Sequence, residues 1–233
     1  MQATELQVLA GGALTDPMSA LAELYEHASG QSIVYRFGTT PVLIGLATSA
    51  DPFDLGVVPV DVMKDAAARA RFAAGPTTDI ARIGLGVAVR AGAKKPDIGN
   101  AQALKQALLD AQSIATIPAS AGGTQVLRVF EALGIGEAMK SKIKAQPTPA
   151  QFVRAMADGE AELGIFLMNV LTAPGLEVVG PVPAELHQEV VFTAALAGNT
   201  KAAEAARAFI AYLKSPAATA VLKAKGMTPA SGA

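Results

Sequence analysis

Three short stretches rich in small residues stand out: AGGALT at 10–15, FGTTP at 37–41 and PASAGGT at 118–124. Each is expected to leave a strand and open a helix. The first backbone N–H groups of a helix lack intrahelical partners, and small hydroxyls beside them add donors, so such a place suits an anion. The candidate ligand contacts are Gly12, Ala13, Thr39, Thr40, Ser120, Gly122, Gly123 and Thr124. A ninth, Arg82, leads the run IGLGVAV at 83–89, which is apolar or glycine throughout and reads as one buried strand. Gly84 and Gly86 strip side chains from its first half. Each feature also has an ordinary reading, since threonine and glycine cap helices and an arginine can be a solvated strand end. Three such loops in one topological position, with a cation added, favour an anion-binding cleft. No Gly-Lys-Ser/Thr follows either glycine pair, so a phosphate loop is excluded. Gly84-Leu85-Gly86 lies inside a strand pattern, and the first loop lacks a third glycine, so a dinucleotide fingerprint is excluded too.

The elements that must position these residues follow from periodicity. A strand at 6–9 leads to a helix starting at Asp16-Pro17, with Asp16 as cap and Pro17 in the first helical position. Met18, Leu21, Leu24, Tyr25 and Ala28 share its apolar face, Gly30 ends it, and a strand at 33–37 follows. This βαβ unit implies parallel strands. The second half repeats the plan with a strand at 113–117, the Gly-rich loop, and a helix with Val126, Leu127, Val129, Phe130 and Leu133 inward, stopped by Gly134. PFDLGVV at 52–58 and EAELGIF at 160–166 read as matching tight turns into short buried strands. A late strand at 189–198 and two helices close the chain, the first with Ala203, Ala206, Phe209, Ile210 and Leu213 as its apolar stripe. The expected fold is α/β: two similar lobes, each with a mostly parallel sheet flanked by helices, joined by two crossovers at 82–90 and 190–196. Lobe one takes 1–81 and 197–233, and lobe two takes 82–196 with both crossing strands. The tail helices return to lobe one, and the ligand cleft is expected between the lobes.

Composition limits the function. With 233 residues, 51% hydrophobic, 17% charged and net charge −1, the chain is neither disordered nor a polybasic nucleic-acid binder. No apolar run is long enough to span a membrane. There is no cysteine, and His27 and His187 are the only histidines, so no thiolate or His-rich metal site is expected, and no cofactor. The chain starts Met-Gln-Ala-Thr without a signal peptide, as a cytoplasmic protein or a mature chain with an added Met would.

In this order, VLAGGALTDPMSALAELYEHASG, ARIGLGVAVRAGAKKPDI, LGIGEAMKSKI, GEAELGI, VVGPVPAEL and AARAFIAYLKSPAATAVLKAKGM resemble periplasmic solute-binding proteins of the molybdate-binding type. The resemblance covers nearly the whole chain. It implies the type II periplasmic-binding-protein fold with two crossovers, a small anionic ligand, a membrane ABC-type permease as partner, and a periplasmic location with the signal peptide already removed. The pattern departs from the family where ligand would bind. Ala13 stands where these binders carry serine, and Thr39 and Thr40 replace serines. Phe166, Leu167, Met168 and Asn169 occupy a region where a tyrosine is expected. Neutral donors hold the family's tetrahedral dianion, whereas Arg82 brings a guanidinium, whose fork suits planar carboxylates. The resemblance thus points to a branch adapted to organic carboxylates, which includes a periplasmic aconitate isomerase. Two readings follow: a binding protein for a small polyanion, and an isomerase that moves a proton along a tricarboxylate. For the second, Asp16, Tyr35 and Arg82 are the catalytic candidates.

Overall fold

The computed structural model describes residues 5–230. They form two compact units: residues 5–82 with 191–230, and residues 83–190. The chain therefore passes between units at 82/83 and at 190/191.

The first unit opens with β1 (Leu6–Gly11), α1 (Thr15–Ser29), β2 (Ile33–Gly38), α2 (Thr40–Thr48), β3 (Leu55–Pro59), two short helices α3 (Val60–Lys64) and α4 (Ala66–Arg69), and β4 (Thr78–Ile83). The second holds β5 (Leu85–Arg90), α5 (Ala101–Asp110), β6 (Ile114–Thr116), α6 (Ala121–Ala132), α7 (Gly136–Lys140), β7 (Ile143–Ala145), α8 (Pro149–Ala157), β8 (Leu163–Leu167), α9 (Met168–Leu171) and β9 (Leu176–Pro181). The chain then completes the first unit with β10 (Val190–Leu196), α10 (Ala203–Leu213), α11 (Pro216–Ala224) and β11 (Thr228–Pro229).

Among the described residues the first unit has a six-stranded sheet in the order β11-β4-β10-β3-β1-β2, and the second a five-stranded sheet in the order β7-β6-β8-β5-β9. β1 pairs in parallel with β2 and β3, and β6 with β7 and β8. These are the βαβ halves that the repeated pattern foretells. The rest of each sheet is mixed: β3 with β10, β4 with β11, and β5 with β8 and β9 run antiparallel. A returning strand needs no crossover helix, so it can enter antiparallel.

Two boundaries differ from the sequence reading. The run at 83–89 is not one strand: Ile83 ends β4 and Leu85 begins β5 in a different sheet. Gly84 is the break, which hydrophobicity alone does not reveal. The late strand, expected with lobe two, hydrogen-bonds to β3 and belongs to the first unit from residue 191 onward.

Both cores draw on most of the apolar positions that periodicity predicts. Met18, Leu21 and Tyr25 of α1 are buried, with the Tyr25 ring 5.0 Å from that of Phe209 in α10. The tail helices α10 and α11 pack on α1 in the first unit. In the second unit Phe130, Phe152 and Phe166 are fully buried, each worth about 1.5–3 kcal/mol of transfer free energy. The two acid-Leu-Gly segments become β3 and β8, buried at every position. Leu24 and Leu127, placed inward by spacing, are 50% and 40% exposed, and Ala28 is exposed.

Candidate functional site

In the first unit, strand register brings two of the three loops together. Gly11 lies opposite Gly38 in the parallel β1–β2 pair, so residues 12–13 and 39–40 leave the sheet side by side. Both strand-end glycines answer to packing. A Cβ at Gly11 would fall 2.6 Å from Phe192, and one at Gly38 would fall 2.7 Å from Val42. The first loop forms a 3-10 turn, Gly12–Leu14, that runs straight into α1. This early turn moves the cap to Leu14, so Asp16 is not the N-cap. Asp16 sits in the first helical turn and pairs with Lys225 at 2.8 Å, an exposed contact worth little.

The second loop keeps its hydroxyls uncommitted. Thr39 is the N-cap of α2, yet its side chain makes no capping bond. The Thr40 hydroxyl is buried and meets no hydrogen-bond partner among the described residues. A buried polar group without a partner costs about 1–3 kcal/mol, which a ligand oxygen can return. Pro41 in the first turn has no N–H to offer, which leaves Thr40 and Val42 as the free amides of that turn.

The third loop lies in the second unit and is differently employed. Ser120 caps α6: its hydroxyl donates to the Ile117 carbonyl at 2.7 Å and accepts from the Gly123 N–H at 2.9 Å. The Thr124 hydroxyl donates to the Ser120 carbonyl at 3.1 Å. Both hydroxyls, expected as ligand donors, already serve the helix start. The glycines are set by sterics as well. A Cβ at Gly122 would meet Phe166 at 2.8 Å and Leu167 at 2.9 Å, and one at Gly123 would lie 1.9 Å from the Ile117 oxygen. The first-turn amides of Ala121 and Gly122 remain for an anion.

Arg82 joins neither cluster. It is exposed near the end of β4, opposite Thr228, and its side chain makes no ion pair or hydrogen bond among the described residues. In the sheet β4 is three strands from β1 and four from β2. At the usual strand spacing that is about 14 and about 19 Å. Gly86 does not clear space for a ligand near Arg82: a Cβ there would come within 2.6 Å of Met168.

Tyr35 is half-buried on β2 of the first unit. Its ring stacks on Phe37 at 5.0 Å, and its hydroxyl touches Met18 Sδ at 3.8 Å. Burial pushes the phenol far above its ordinary value, with Tyr212 adding to the rise, so it supplies no base near neutrality. Tyr35→Phe should leave ligand affinity, and any turnover of aconitate, unchanged within twofold. A loss of turnover with retained binding would make the phenol catalytic.

Three side chains escaped the sequence reading. Thr116 and Thr193 carry buried hydroxyls without partners among the described residues. Their only signal is a lone threonine in an apolar strand. His187 accepts a backbone hydrogen bond from Leu85 at 3.0 Å. No group of three or more His, Cys, Asp or Glu gathers among the described residues, and no helix there is long and apolar enough to cross a membrane. A separate groove of about 590 Å³ in the second unit is lined by Asp97 and Glu185 among prolines and glycines. Two carboxylates make it a poor place for a polyanion.

Residues 6–228 match the family model described as bacterial extracellular solute-binding protein. An aconitate isomerase from Pseudomonas sp is 31% identical, over 97% of this chain and 88% of its own length. The molybdate-binding protein ModA of Azotobacter vinelandii is 29% identical over 97% of this chain and 90% of its own. The solved structure of an Azotobacter vinelandii periplasmic molybdate-binding protein superposes with a TM-score of 0.82 at 19% identity, covering 97% of this chain and 100% of that one.

Proposed function

The chain belongs to the bacterial extracellular solute-binding protein family, and on that footing we propose that it captures a small polyanion. The ligand is an organic di- or tricarboxylate, or an oxyanion such as molybdate, captured in the periplasm and passed to an ABC-type permease. The observation that carries this reading is the pair of uncommitted hydroxyls, Thr39 and the buried Thr40, at the first turn of α2. The Gly12 turn beside them adds a backbone donor. Arg82 supplies a cation that neutral-donor recognition of an oxyanion does not need, which favours a carboxylate.

A second reading is an isomerase that interconverts cis- and trans-aconitate on the same fold. It draws on the 31% identical aconitate isomerase. Chemistry of that kind needs a base within reach of an acidic C–H. Asp16 lies in an exposed ion pair with Lys225 after the first loop, and burial raises the Tyr35 phenol, so neither is placed as a base, and binding without turnover is the favoured reading.

A thermal-shift screen with molybdate, sulfate, citrate, cis-aconitate and trans-aconitate tests the proposal. Ligand at a hundred times its dissociation constant adds about 2.7 kcal/mol of stability. A screen in which none of these anions shifts the transition sinks the reading. Ultraviolet absorbance of aconitate then separates the two roles: a steady change means turnover, and a shift in melting without it means a receptor.

Thr40→Val is the local test. It removes the idle hydroxyl while keeping the shape, so stability should hold or rise slightly. Affinity for the stabilising anion should fall by about tenfold, the size of one charge-assisted hydrogen bond. Unchanged affinity in calorimetry would remove the α2 turn from the site.

A further inference from the structure

Within the second unit, one histidine fastens the residues that follow the first chain crossing at 82/83. His187 lies shortly before the second crossing at 190/191. Its Nε2 accepts from the Leu85 N–H at 3.0 Å. Gly84 stands against the same ring: a Cβ there would lie 3.4 Å from Nε2. The Gly84 carbonyl accepts from the Met168 N–H, and the Leu85 carbonyl from the Val182 N–H, each at 3.0 Å. Gly84 and Leu85 are thus held by three hydrogen bonds. Two are backbone to backbone and do not titrate. The third requires a bare Nε2, hence a neutral ring with its proton on Nδ1.

We infer that His187 is a positioning residue: its neutral ring holds the Gly84–Leu85 crossing segment in the path that ligand capture needs, and protonation releases that segment. The inference rests on the binding role proposed above. Arg82, the candidate cation, is two residues upstream of Gly84.

The surroundings agree with a neutral ring. Burial holds the imidazole below its ordinary range, against the opposing pull of the Pro183 carbonyl and the Glu189 carboxylate. Nδ1 is buried and makes no aligned hydrogen bond among the described residues. Glu185 lies in the turn just before His187. Helix α6 packs on that turn and brings the neutral Gln125, whose Oε1 accepts from the Gln188 N–H at 3.3 Å. Gly84, Leu85 and Met168 carry no charge. Because the folded value is depressed, the folded state takes up fewer protons than the unfolded chain. The clasp contributes fully above the ordinary histidine value of about 6.5 and is lost as pH falls through the lower folded value.

The test has one arm that needs no ligand. In the ¹⁵N-labelled protein, the Leu85 amide should shift and lose hydrogen-exchange protection between pH 8 and pH 5, tracking the imidazole signal of His187. The second arm is calorimetry with trans-aconitate as the probe. Wild-type affinity should drop about fivefold further than that of His187→Gln over the same range, the size of one lost hydrogen bond. Glutamine offers an acceptor that does not titrate, so it should rescue acid binding, whereas His187→Ala should be weak at every pH. A Leu85 amide indifferent to the imidazole titration overturns the clasp. A titrating amide with identical pH profiles for wild type and His187→Gln overturns its role in capture. If trans-aconitate fails to bind at pH 8, the binding reading fails for this class, and the amide arm still decides the clasp.

Discussion

One methyl group added at Gly123 should destabilise the second unit by about 4 kcal/mol. The new Cβ would lie 1.9 Å from the Ile117 oxygen, 2.6 Å from the Ile117 carbonyl carbon and 2.7 Å from Pro118 Cα. All three are backbone atoms, so no rotamer change relieves the clash. Overpacking of this kind costs about 1–3 kcal/mol when side chains can yield, and here the upper end applies. Moving the loop also breaks the cap, because the Gly123 N–H is the donor to Ser120 Oγ; losing a cap costs about 1 kcal/mol more. Gly45 is the control. It lies inside α2 and a Cβ there meets nothing within 4 Å, so Gly45→Ala should add about 0.5–1 kcal/mol. Urea unfolding reads both, with the midpoint falling in one variant and rising in the other at similar slope. Wild-type stability in Gly123→Ala would return this glycine to a ligand role.

That expectation shows what a sequence can and cannot tell about a glycine. PASAGGT was legible as a helix start, and Ser120 does cap α6. That its glycines answer to the Ile117 carbonyl and to Phe166 was not, because those contacts depend on how the strand, the turn and β8 pack. Gly86 is the same case, filled against by Met168. The βαβ halves and the buried β3 and β8 could be read because period and turn chemistry are local properties. Gly84 could not be read as a change of sheet, since the apolar run continues through it and hydrophobicity does not record which sheet a strand joins. Nor could β10 be assigned to a unit, because its partner β3 lies more than a hundred residues away. Asp16 lost its cap to a 3-10 turn that the Gly-Gly pair permits but does not announce. His187 was weighed only as one of two histidines too few for a metal site, and its partner is a backbone amide 102 residues distant. Thr39 and Thr40 were singled out for their types and position, and they are the two hydroxyls that the helix start leaves unused.

Arg82→Ala should weaken capture of citrate or aconitate by about thirtyfold while leaving the stability of the free protein within about 0.5 kcal/mol. The second half follows from exposure: the Arg82 side chain makes no ion pair or hydrogen bond among the described residues, and surface substitutions of that kind are nearly neutral. The first half comes from truncating one partner of a charge pair, about 2–5 kcal/mol when the pair is fully buried. The free guanidinium is exposed, so solvent screening favours the lower end, about 2 kcal/mol or thirtyfold. Arg82→Lys should recover only part of that loss, because an ammonium keeps the charge without the two-pronged geometry that fits a carboxylate. Sheet order adds a second discrimination. Arg82 stands on a strand about 14 Å from β1 and about 19 Å from β2, whose ends carry the Gly12–Ala13 and Thr39–Thr40 turns. A tetrahedral oxyanion is too compact to touch Thr40 and Arg82 together. A tricarboxylate, met part way by the long arginine side chain, comes nearer to spanning the distance of about 14 Å from β1 than an oxyanion does. Calorimetry on the same two variants with molybdate and with citrate therefore separates the ligand classes. A loss confined to citrate identifies Arg82 as the carboxylate anchor. An equal loss for molybdate moves the oxyanion site to Arg82 and away from α2. No loss for either leaves Arg82 a solvated charge at the end of a strand.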